Sequence, residues 1–185
     1  MVPTHQLRAL HDARTVVVYQ AYSHAIADAA IAAQRFVAPF SFERMTWVKP
    51  SFLWMMERCG WATKANQERV LAVRMHRAAF EALVVMAVPT HGHPEALKSA
   101  RALVQWDPER TMRGGKLNHR TIQLGIGRDL AKRYASEWIA AIDDVTPLVS
   151  KLRALRRDGE WAQVERLLPV ERELVLTKES RASSS

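Results

Sequence analysis

The spacing of hydrophobic and polar residues changes several times in the first half of the chain. Residues 15–19, T-V-V-V-Y, form a β-branched run that predicts a buried strand. Residues 24–34 are rich in alanine and place their apolar side chains on one helical face, which predicts a helix directly after that strand. Residues 69–76 alternate apolar and polar side chains, as in a strand with one wet face, and residues 78–87 predict a second helix.

A tryptophan-rich segment with a proline at its centre lies between these two pairs of elements. Proline suits the first turn of a helix, and it favours an extended conformation for the residue before it. Residues 44–48 are therefore predicted to form a strand, and Lys49-Pro50-Ser51 to form a corner. Residues 51–58 predict a short helix that ends at Gly60. Residues 36–42 predict an extended segment that leads to this corner.

The second half of the chain has strand patterns first and helical patterns afterwards. Residues 90–95 predict a loop, and residues 102–110 predict a strand that runs into a turn at Asp107-Pro108. A hairpin connection over residues 113–116 then leads to a second strand over residues 121–126. Residues 130–142 predict a helix, and two further helices follow the capping pair Thr146-Pro147. The two strands in this half are expected to be antiparallel neighbours because a short glycine-containing connection joins them.

These elements predict an α+β fold with a mixed or antiparallel sheet, flanking helices and a helical C-terminal portion. A length of 185 residues suits one core that needs no disulfide or structural metal to hold it. We therefore expect one globular domain over residues 1–178. The serine-rich residues 179–185 predict a disordered tail.

Cysteine usage and hydropathy indicate the compartment. Cys59 is the only cysteine, which excludes an internal disulfide and a multi-cysteine zinc site and favours a reducing environment. The N-terminus lacks the apolar region of a secretory signal, and the longest apolar runs are too short to span a bilayer. The sequence therefore predicts a soluble cytoplasmic protein without a membrane partner.

The charge balance indicates the kind of partner. There are 27 lysines and arginines against 19 acidic residues, which gives a net charge of +8 and a pI near 10.1. Such a surplus favours an anionic partner, either a phosphate-bearing nucleotide or a nucleic acid. The alternative is a basic protein without that role, because the positive residues are spread along the chain. The oligomeric state stays open.

A metal centre is not expected from the histidines. His91 and His93 offer two ligands, but no third ligand stands at a characteristic spacing. The G-G-K sequence at residues 114–116 lacks the rest of a phosphate-binding loop.

Unusual polar residues lie at or just beyond the ends of predicted strands, where a rigid scaffold presents side chains to a cleft. They are Gln20, Tyr22, Arg44, Thr46, Lys49, Ser51, Gln105, Asp107, Glu109, Arg120 and Gln123. Ser51 at a helix start, beside Lys49, suits an anion because free N–H groups and the helix dipole point there. In the simpler interpretation Ser51 only caps the helix, Lys49 is solvated, and Trp47 and Trp54 fill the core.

Several sequence blocks resemble a known family. They include V-V-V-Y-Q-A-Y, F-V-A-P-F, R-M-T-W-V-K-P-S-F-L-W-M-M, G-W-A-T-K and V-Q-W-D-P-E-R. These blocks are similar to a family of bacterial and fungal proteins catalogued as domain of unknown function 4291. The resemblance extends from about Arg14 to Pro169.

The order of the first elements also looks like the opening of the ADP-ribosyltransferase fold. In that fold NAD lies in a cleft between two small sheets, and the first strand supplies an arginine or histidine that holds it. The resemblance places Gln20 at that position and makes Glu109 the candidate for the later catalytic glutamate. It implies NAD as the cofactor.

Two functional hypotheses follow. The first is an ADP-ribosyltransferase-like transferase that uses NAD on a nucleic-acid or other anionic target. Its catalytic residues would be Gln20 and Glu109. Its cofactor-binding residues would be Tyr22, Arg44, Thr46, Trp47, Lys49, Ser51, Gln105, Asp107, Arg120 and Gln123. The alternative is a non-catalytic basic RNA- or DNA-binding module whose tryptophans stack on bases. The first hypothesis expects Gln20, Lys49, Gln105 and Arg120 in one cleft.

Overall fold

Two β-sheets joined at a proline corner organise the chain. The structure is a computed structural model that describes residues 4–177. The tail predicted over residues 179–185 lies outside the described residues. Tyr19 and Lys49 exchange backbone hydrogen bonds of 2.7 and 3.3 Å, which connect the first long strand with the corner at Lys49-Pro50-Ser51.

Strands and helices alternate along most of the chain. The strands are β1 (Arg8–Ala9), β2 (Thr15–Tyr22), β3 (Thr46–Val48), β4 (Arg69–His76), β5 (Val88–Pro89), β6 (Ala102–Arg110), β7 (Lys116–Ile126), β8 (Ile139–Asp144) and β9 (Arg172–Glu173). The helices are α1 (His24–Ala33), α2 (Phe52–Cys59), α3 (Arg77–Met86), α4 (Pro94–Ser99), α5 (Arg128–Arg133), α6 (Thr146–Arg157) and α7 (Trp161–Leu167). A π-helical turn over Tyr134–Trp138 follows α5.

The sheets are mixed, and the predicted α+β class is confirmed. One sheet has three antiparallel strands in the order β2-β4-β8. The other has the order β3-β7-β6-β5, antiparallel except for β5, which runs parallel to β6. Strands β1 and β9 pair with each other near the two ends of the described chain.

Strand β2 and most of β4 are buried on both faces of the three-stranded sheet. Alternate residues of β2 belong to different hydrophobic clusters, with Val16 and Val18 in one and Val17 and Tyr19 in the other. This explains why T-V-V-V-Y lacks a polar alternation. Strand β4 was predicted to have one wet face, and that expectation is wrong for most of its length, since five of its eight residues are buried on the two sides.

The corner and the helix after it follow the local sequence. Ser51 is the N-cap of α2, and its Oγ accepts a hydrogen bond of 3.1 Å from the backbone N–H of Trp54. Gly60 ends the helix in the left-handed conformation, at φ 61°, and its N–H donates to the carbonyl of Met56. The predicted strand, corner and helix are therefore present, with β3 shorter than expected.

One predicted helix is present only in its first half. Residues 130–142 were expected to be helical, but the chain leaves the helix after the π-helical turn and continues as β8. Strand β8 pairs with β4, from Leu71 opposite Asp144 to Met75 opposite Ile139. The short stretch I-A-A-I fits either period, and the exposed edge of β4 decides its conformation.

Three smaller expectations are also corrected. Strand β6 continues through Asp107-Pro108, where a register shift next to the proline accommodates its missing N–H. Residues 36–42 form turns instead of an extended segment, because Phe36, Phe40 and Phe42 turn inward and contact one another. The predicted loop at residues 90–95 gives way to α4 at Pro94.

Candidate functional site

A cavity of about 610 Å³ lies between the two sheets, and we call it the sheet cavity. Its polar lining consists of Gln20, Tyr22, Ser41, Arg44, Thr46, Lys49, Arg58, Asn66, Gln67, Gln105 and Gln123. Its apolar lining consists of Ala21, Phe40, Met45, Trp47 and Met55. The side chains therefore come from β2 of one sheet, from β3, β6 and β7 of the other, and from α2. The volume is typical of a ligand pocket, for which roughly 300–1,000 Å³ is usual.

Gln20 is at the centre of a buried hydrogen-bond network. Its Nε2 donates to Tyr22 Oη at 2.7 Å, Thr46 Oγ1 at 2.9 Å and the Trp47 carbonyl at 3.1 Å. Its Oε1 accepts from Tyr134 Oη. The amide is 3% exposed, and these contacts use both of its N–H donors, one of them shared between two acceptors, and one of the two acceptor sites of Oε1. Gln20 therefore holds the hydroxyls of Tyr22 and Thr46 in place, which is a positioning role.

Burial controls the protonation of the tyrosines in this network. It raises the pKa of Tyr22 to about 12, while the hydrogen bond with Thr46 and the Arg44 charge act in the opposite direction. Burial also raises the pKa of Tyr134 well above its ordinary value. Both phenols therefore stay neutral at physiological pH.

Two parallel amides form the opposite wall, and one carboxylate orients both. Asp107 Oδ1 accepts from Gln105 Nε2 at 2.8 Å, and its Oδ2 accepts from Gln123 Nε2 at 2.7 Å. Gln105 and Gln123 stand opposite each other on β6 and β7. Because the amide nitrogens face the carboxylate, the amide oxygens are the ends that are free for a ligand.

Three cations line the sheet cavity. Lys49 is 7% exposed, and its Nζ lies 5.0 Å from the centroid of the Trp54 ring. Burial, together with the nearby Arg58 guanidinium, lowers the pKa of Lys49 to about 8, while Asp107 acts in the opposite direction. Arg58 and Arg44 are exposed side chains at the rim. No acidic side chain of residues 4–177 is part of this lining.

Gly125 allows Trp47 and Met45 to lie against β7 and form part of the cavity wall. Gly125 is opposite Trp47 in the β3-β7 pairing. A Cβ atom at this position would lie 2.6 Å from Met45 Sδ and 3.0 Å from the Trp47 ring. The sequence interpretation did not assign a role to this glycine.

A second cavity, also of about 610 Å³, lies at the start of α2, and we call it the α2 cavity. Its lining includes Ser51, Phe52, Glu109, His119 and Glu171, and it shares no residue with the sheet cavity. Glu109 Oε1 accepts from Ser51 Oγ at 2.8 Å and from the Arg110 N–H at 2.7 Å. Glu171 Oε1 accepts from the Phe52 N–H at 2.7 Å. The two carboxylates thus complete the N-terminus of α2 and the adjacent bulge of β6.

The acids of the α2 cavity also influence each other. Burial, with a contribution from the Glu109 carboxylate, raises the pKa of Glu171 to about 8, while the Phe52 hydrogen bond and the Arg8 charge act in the opposite direction. At neutral pH the Glu171 carboxyl is therefore largely protonated.

The structure brings most, but not all, of the predicted site residues together. Eight line the sheet cavity: Gln20, Tyr22, Arg44, Thr46, Trp47, Lys49, Gln105 and Gln123. Asp107 contacts two of them. Ser51 and Glu109 line the α2 cavity. The single cleft expected for Gln20, Lys49, Gln105 and Arg120 thus lacks Arg120.

The pleat and length of the strands explain the residues that are displaced. Arg120 points away from the face of β7 that carries Gln123, and its guanidinium donates to the Trp106 carbonyl. Glu109 lies four residues beyond Gln105 on β6, which places it roughly 13 Å further along the strand. Glu109 and Gln20, the two catalytic candidates of the sequence, therefore line different cavities.

Arg58 and Tyr134 contribute to the site but were not among the residues predicted from the sequence. Arg58 lines the sheet cavity because it stands three residues after Met55 on α2, and this helical spacing could have indicated it. Tyr134 reaches Gln20 from the π-helical turn, across 114 positions of the sequence, and only the tertiary fold reveals that contact.

The tryptophans are neither all core nor freely exposed. Trp138 is buried at 7% exposure, and the other five are partly buried. In addition, Trp54, Trp61, Trp138 and Trp161 each have a lysine or arginine over the ring.

The sheets and the cavity between them define an α+β protein with two sheets that meet at one corner. A family model described as Domain of unknown function (DUF4291) matches residues 6–174, and the chain belongs to this family. No curated protein matches the chain at a significant level. In the part of the chain that the structure describes, no helix is long and apolar enough to cross a membrane. Likewise, no three His, Cys, Asp or Glu residues within 4–177 form a group that could hold a metal ion.

Proposed function

We propose that the chain is an ADP-ribosyltransferase-like enzyme that binds NAD as a substrate in the sheet cavity. The observation that carries the proposal is the lining of this cavity, where oriented amides and hydroxyls meet three cations without an acidic side chain of residues 4–177. The position of the cavity between two sheets supports the same substrate, because the resembling fold binds NAD in such a cleft. The shared arrangement of two sheets around a cleft is an analogy of fold, and the proposal depends on the residues that line the sheet cavity.

The cations suit the pyrophosphate of NAD. Lys49 is buried and has no carboxylate within ion-pairing distance among residues 4–177, so an entering phosphate would be its first close anionic partner. A charge-assisted hydrogen bond is strong in such a low-dielectric setting. Arg44 and Arg58 at the rim can contact the same group, and Trp47 offers an apolar surface to a ring.

The amide pair suits the reacting end of the substrate. Transfer breaks the bond between ribose C1′ and the nicotinamide nitrogen, and positive charge develops on the ribose. Nicotinamide leaves as a neutral molecule, while an oxygen or nitrogen of the acceptor bonds to C1′ and releases its proton. The amide oxygens of Gln105 and Gln123, with the Asp107 carboxylate behind them, can stabilise the developing charge. The proposal gives this role to the amides, because Glu109 lies in the α2 cavity.

Thermal unfolding with and without NAD tests binding. A ligand at about 100 times its dissociation constant stabilises the native state by about 2.7 kcal/mol. We expect NAD to raise the Tm of the wild type and to raise that of Gln123→Leu much less. Glu109→Gln, in the α2 cavity, is the matched control and should keep the full shift.

Nicotinamide release then tests the chemistry. We expect slow release by the wild type and loss of release in Gln123→Leu and Asp107→Asn. If NAD does not stabilise the wild type, or if Glu109→Gln abolishes the shift as completely as Gln123→Leu does, the assignment of the sheet cavity is wrong.

A further inference from the structure

Two arginines have their guanidinium groups over tryptophan rings at one surface outside the sheet cavity. We call it the Arg–Trp surface, and it consists of Trp61, Met112, Arg113, Arg153, Arg156 and Trp161. The Arg156 guanidinium carbon lies 4.0 Å from the centroid of the Trp61 ring, and that of Arg113 lies 4.5 Å from the Trp161 ring. These residues come from the loop after α2, the turn between β6 and β7, α6 and the start of α7.

Backbone contacts connect the parts of this surface. Arg156 Nε donates to the Met112 carbonyl at 2.9 Å, which joins α6 to the β6-β7 turn. Arg153 Nη1 donates to the Trp61 carbonyl at 3.2 Å, which joins α6 to the loop after α2. The guanidinium groups of Arg153 and Arg156 are therefore oriented by neutral hydrogen-bond acceptors.

The charge of these arginines is not neutralised within the described residues. Arg69 and Arg77, in contrast, form ion pairs with Asp28, Asp144 and Glu81. Across residues 4–177, none of Arg113, Arg153 and Arg156 forms an ion pair. Burial lowers the pKa of Arg156 and the Glu57 charge acts in the opposite direction, but the ion pair of Glu57 is with Arg110. Oriented cations without a carboxylate partner are suited to phosphate oxygens.

One loop connects the Arg–Trp surface with the lining of the sheet cavity. Trp61 begins this loop, and its later residues, Asn66 and Gln67, line that cavity. Within the loop, Lys64 Nζ donates to the carbonyl of Arg58, another lining residue, at 2.7 Å. The loop therefore carries a basic side chain between the Arg–Trp surface and the sheet cavity.

We infer that the Arg–Trp surface binds a single-stranded nucleic acid, which is the acceptor of the proposed transfer. The inference rests on the proposed function only for the role of acceptor. Phosphates would contact Arg113, Arg153 and Arg156, while unstacked bases would pack on the flat guanidinium and indole groups. A single strand fits because paired bases do not present their flat faces to a protein.

Fluorescence anisotropy with a labelled single-stranded RNA of about 12 nucleotides, a typical site size, tests the inference on the full chain. The test variant is Arg113→Ala/Arg153→Ala/Arg156→Ala. The matched control is Arg14→Ala/Arg35→Ala/Arg128→Ala, which removes the same charge from exposed arginines elsewhere. We expect the test variant to bind at least about tenfold more weakly than the control. The slope of log affinity against log salt should fall by about 2, from about 0.7 per lost phosphate contact.

Each result decides the inference. It is overturned if the wild type does not bind the RNA, if both triple variants lose the same affinity, or if poly-glutamate competes as well as RNA, which would indicate an acidic protein partner. NAD-dependent stabilisation is measured on the same samples, because it distinguishes failure of the RNA-binding inference from failure of the proposed function. The test variant should retain the NAD shift, which also shows that it is folded. If NAD does not stabilise the wild type, the proposed function is wrong, but the RNA-binding result still decides whether the Arg–Trp surface binds a single strand.

Discussion

The sheet cavity and the α2 cavity lie on either side of one corner, have similar volumes of about 610 Å³, and differ in their buried charged groups. The sheet cavity contains a buried lysine whose pKa is lowered to about 8, and the α2 cavity contains a glutamate whose pKa is raised to about 8. In the α2 cavity the acids accept hydrogen bonds from the start of α2 and from β6. In the sheet cavity Lys49 contacts a tryptophan ring and has no ion-pair partner among residues 4–177. The comparison suggests an architectural role for the acids and a ligand-binding role for the lysine.

The largest effect is expected from Lys49→Met. It should weaken NAD binding by about 100-fold, because a charge-assisted contact of up to about 3 kcal/mol is lost. It should also raise the free energy of unfolding at pH 7 by about 1–3 kcal/mol, because the ammonium form is disfavoured in the folded state. Calorimetric titration and urea unfolding measure the two changes.

Lys98→Met is the control for this prediction, since Lys98 is exposed and, among residues 4–177, forms an ion pair only with Glu95. It should change neither quantity. The wild type should gain stability as the pH rises from about 8 toward 10.5, where Lys49 is neutral in the folded state but still charged in the unfolded chain. Unchanged NAD affinity in Lys49→Met would remove the distinction between the two cavities.

Gln20→Ala is expected to have the next largest effect. It leaves the hydroxyl of Tyr134 without its acceptor and removes the donor shared by Tyr22 and Thr46, at a cost of about 2–3 kcal/mol of stability. NAD affinity should fall as well, because the network shapes the sheet cavity. Tyr134→Phe tests the same network from its other end and should cost less. An NAD affinity that Gln20→Ala leaves unchanged would contradict the positioning role.

Glu171→Gln tests the α2 cavity through its pH dependence. The raised pKa means that the wild type loses stability as the pH rises from about 4.5 through about 8, where the folded carboxyl finally ionises. Glutamine keeps an oxygen that accepts from the Phe52 N–H but does not ionise. The variant should match the wild type near pH 5 and exceed it by about 1–2 kcal/mol at pH 9. Denaturant unfolding across this range is the measurement, and parallel curves would contradict the assignment.

Ser51→Ala is expected to have the smallest effect. It removes the N-cap of α2 and the hydroxyl bonded to Glu109, which should cost about 1–2 kcal/mol of stability. NAD affinity should stay within a factor of two or so, because Ser51 lines only the α2 cavity. A tenfold loss of affinity would instead show that the corner transmits changes between the cavities.

The sequence predicted those parts of the fold that short-range chemistry decides. Pro50, the Ser51 cap and Gly60 define a corner and a helix within about a dozen residues, and this segment formed as expected. Strand β8 was missed because its short apolar pattern fits two periods, and its pairing with β4 involves residues almost 70 positions away.

In the candidate site, too, local features could be predicted from the sequence, and features that depend on the tertiary fold could not. Polar residues at strand ends were identified because strands place such side chains at predictable positions, and seven of them meet in one cavity. The contact between Tyr134 and Gln20 and the separation of Glu109 depend on how the two sheets are arranged in space. Spacing along one strand does not contain that information.

Gly125 has a consequence for how this protein can change during evolution. A Cβ atom there would collide with Met45 and Trp47, which form part of the wall of the sheet cavity. Position 125 is therefore not free to vary alone. In a lineage that acquires alanine at this position, we expect a smaller residue at position 45 or 47 in the same sequence. The three positions should covary, and the shape of the cavity should be inherited as one unit.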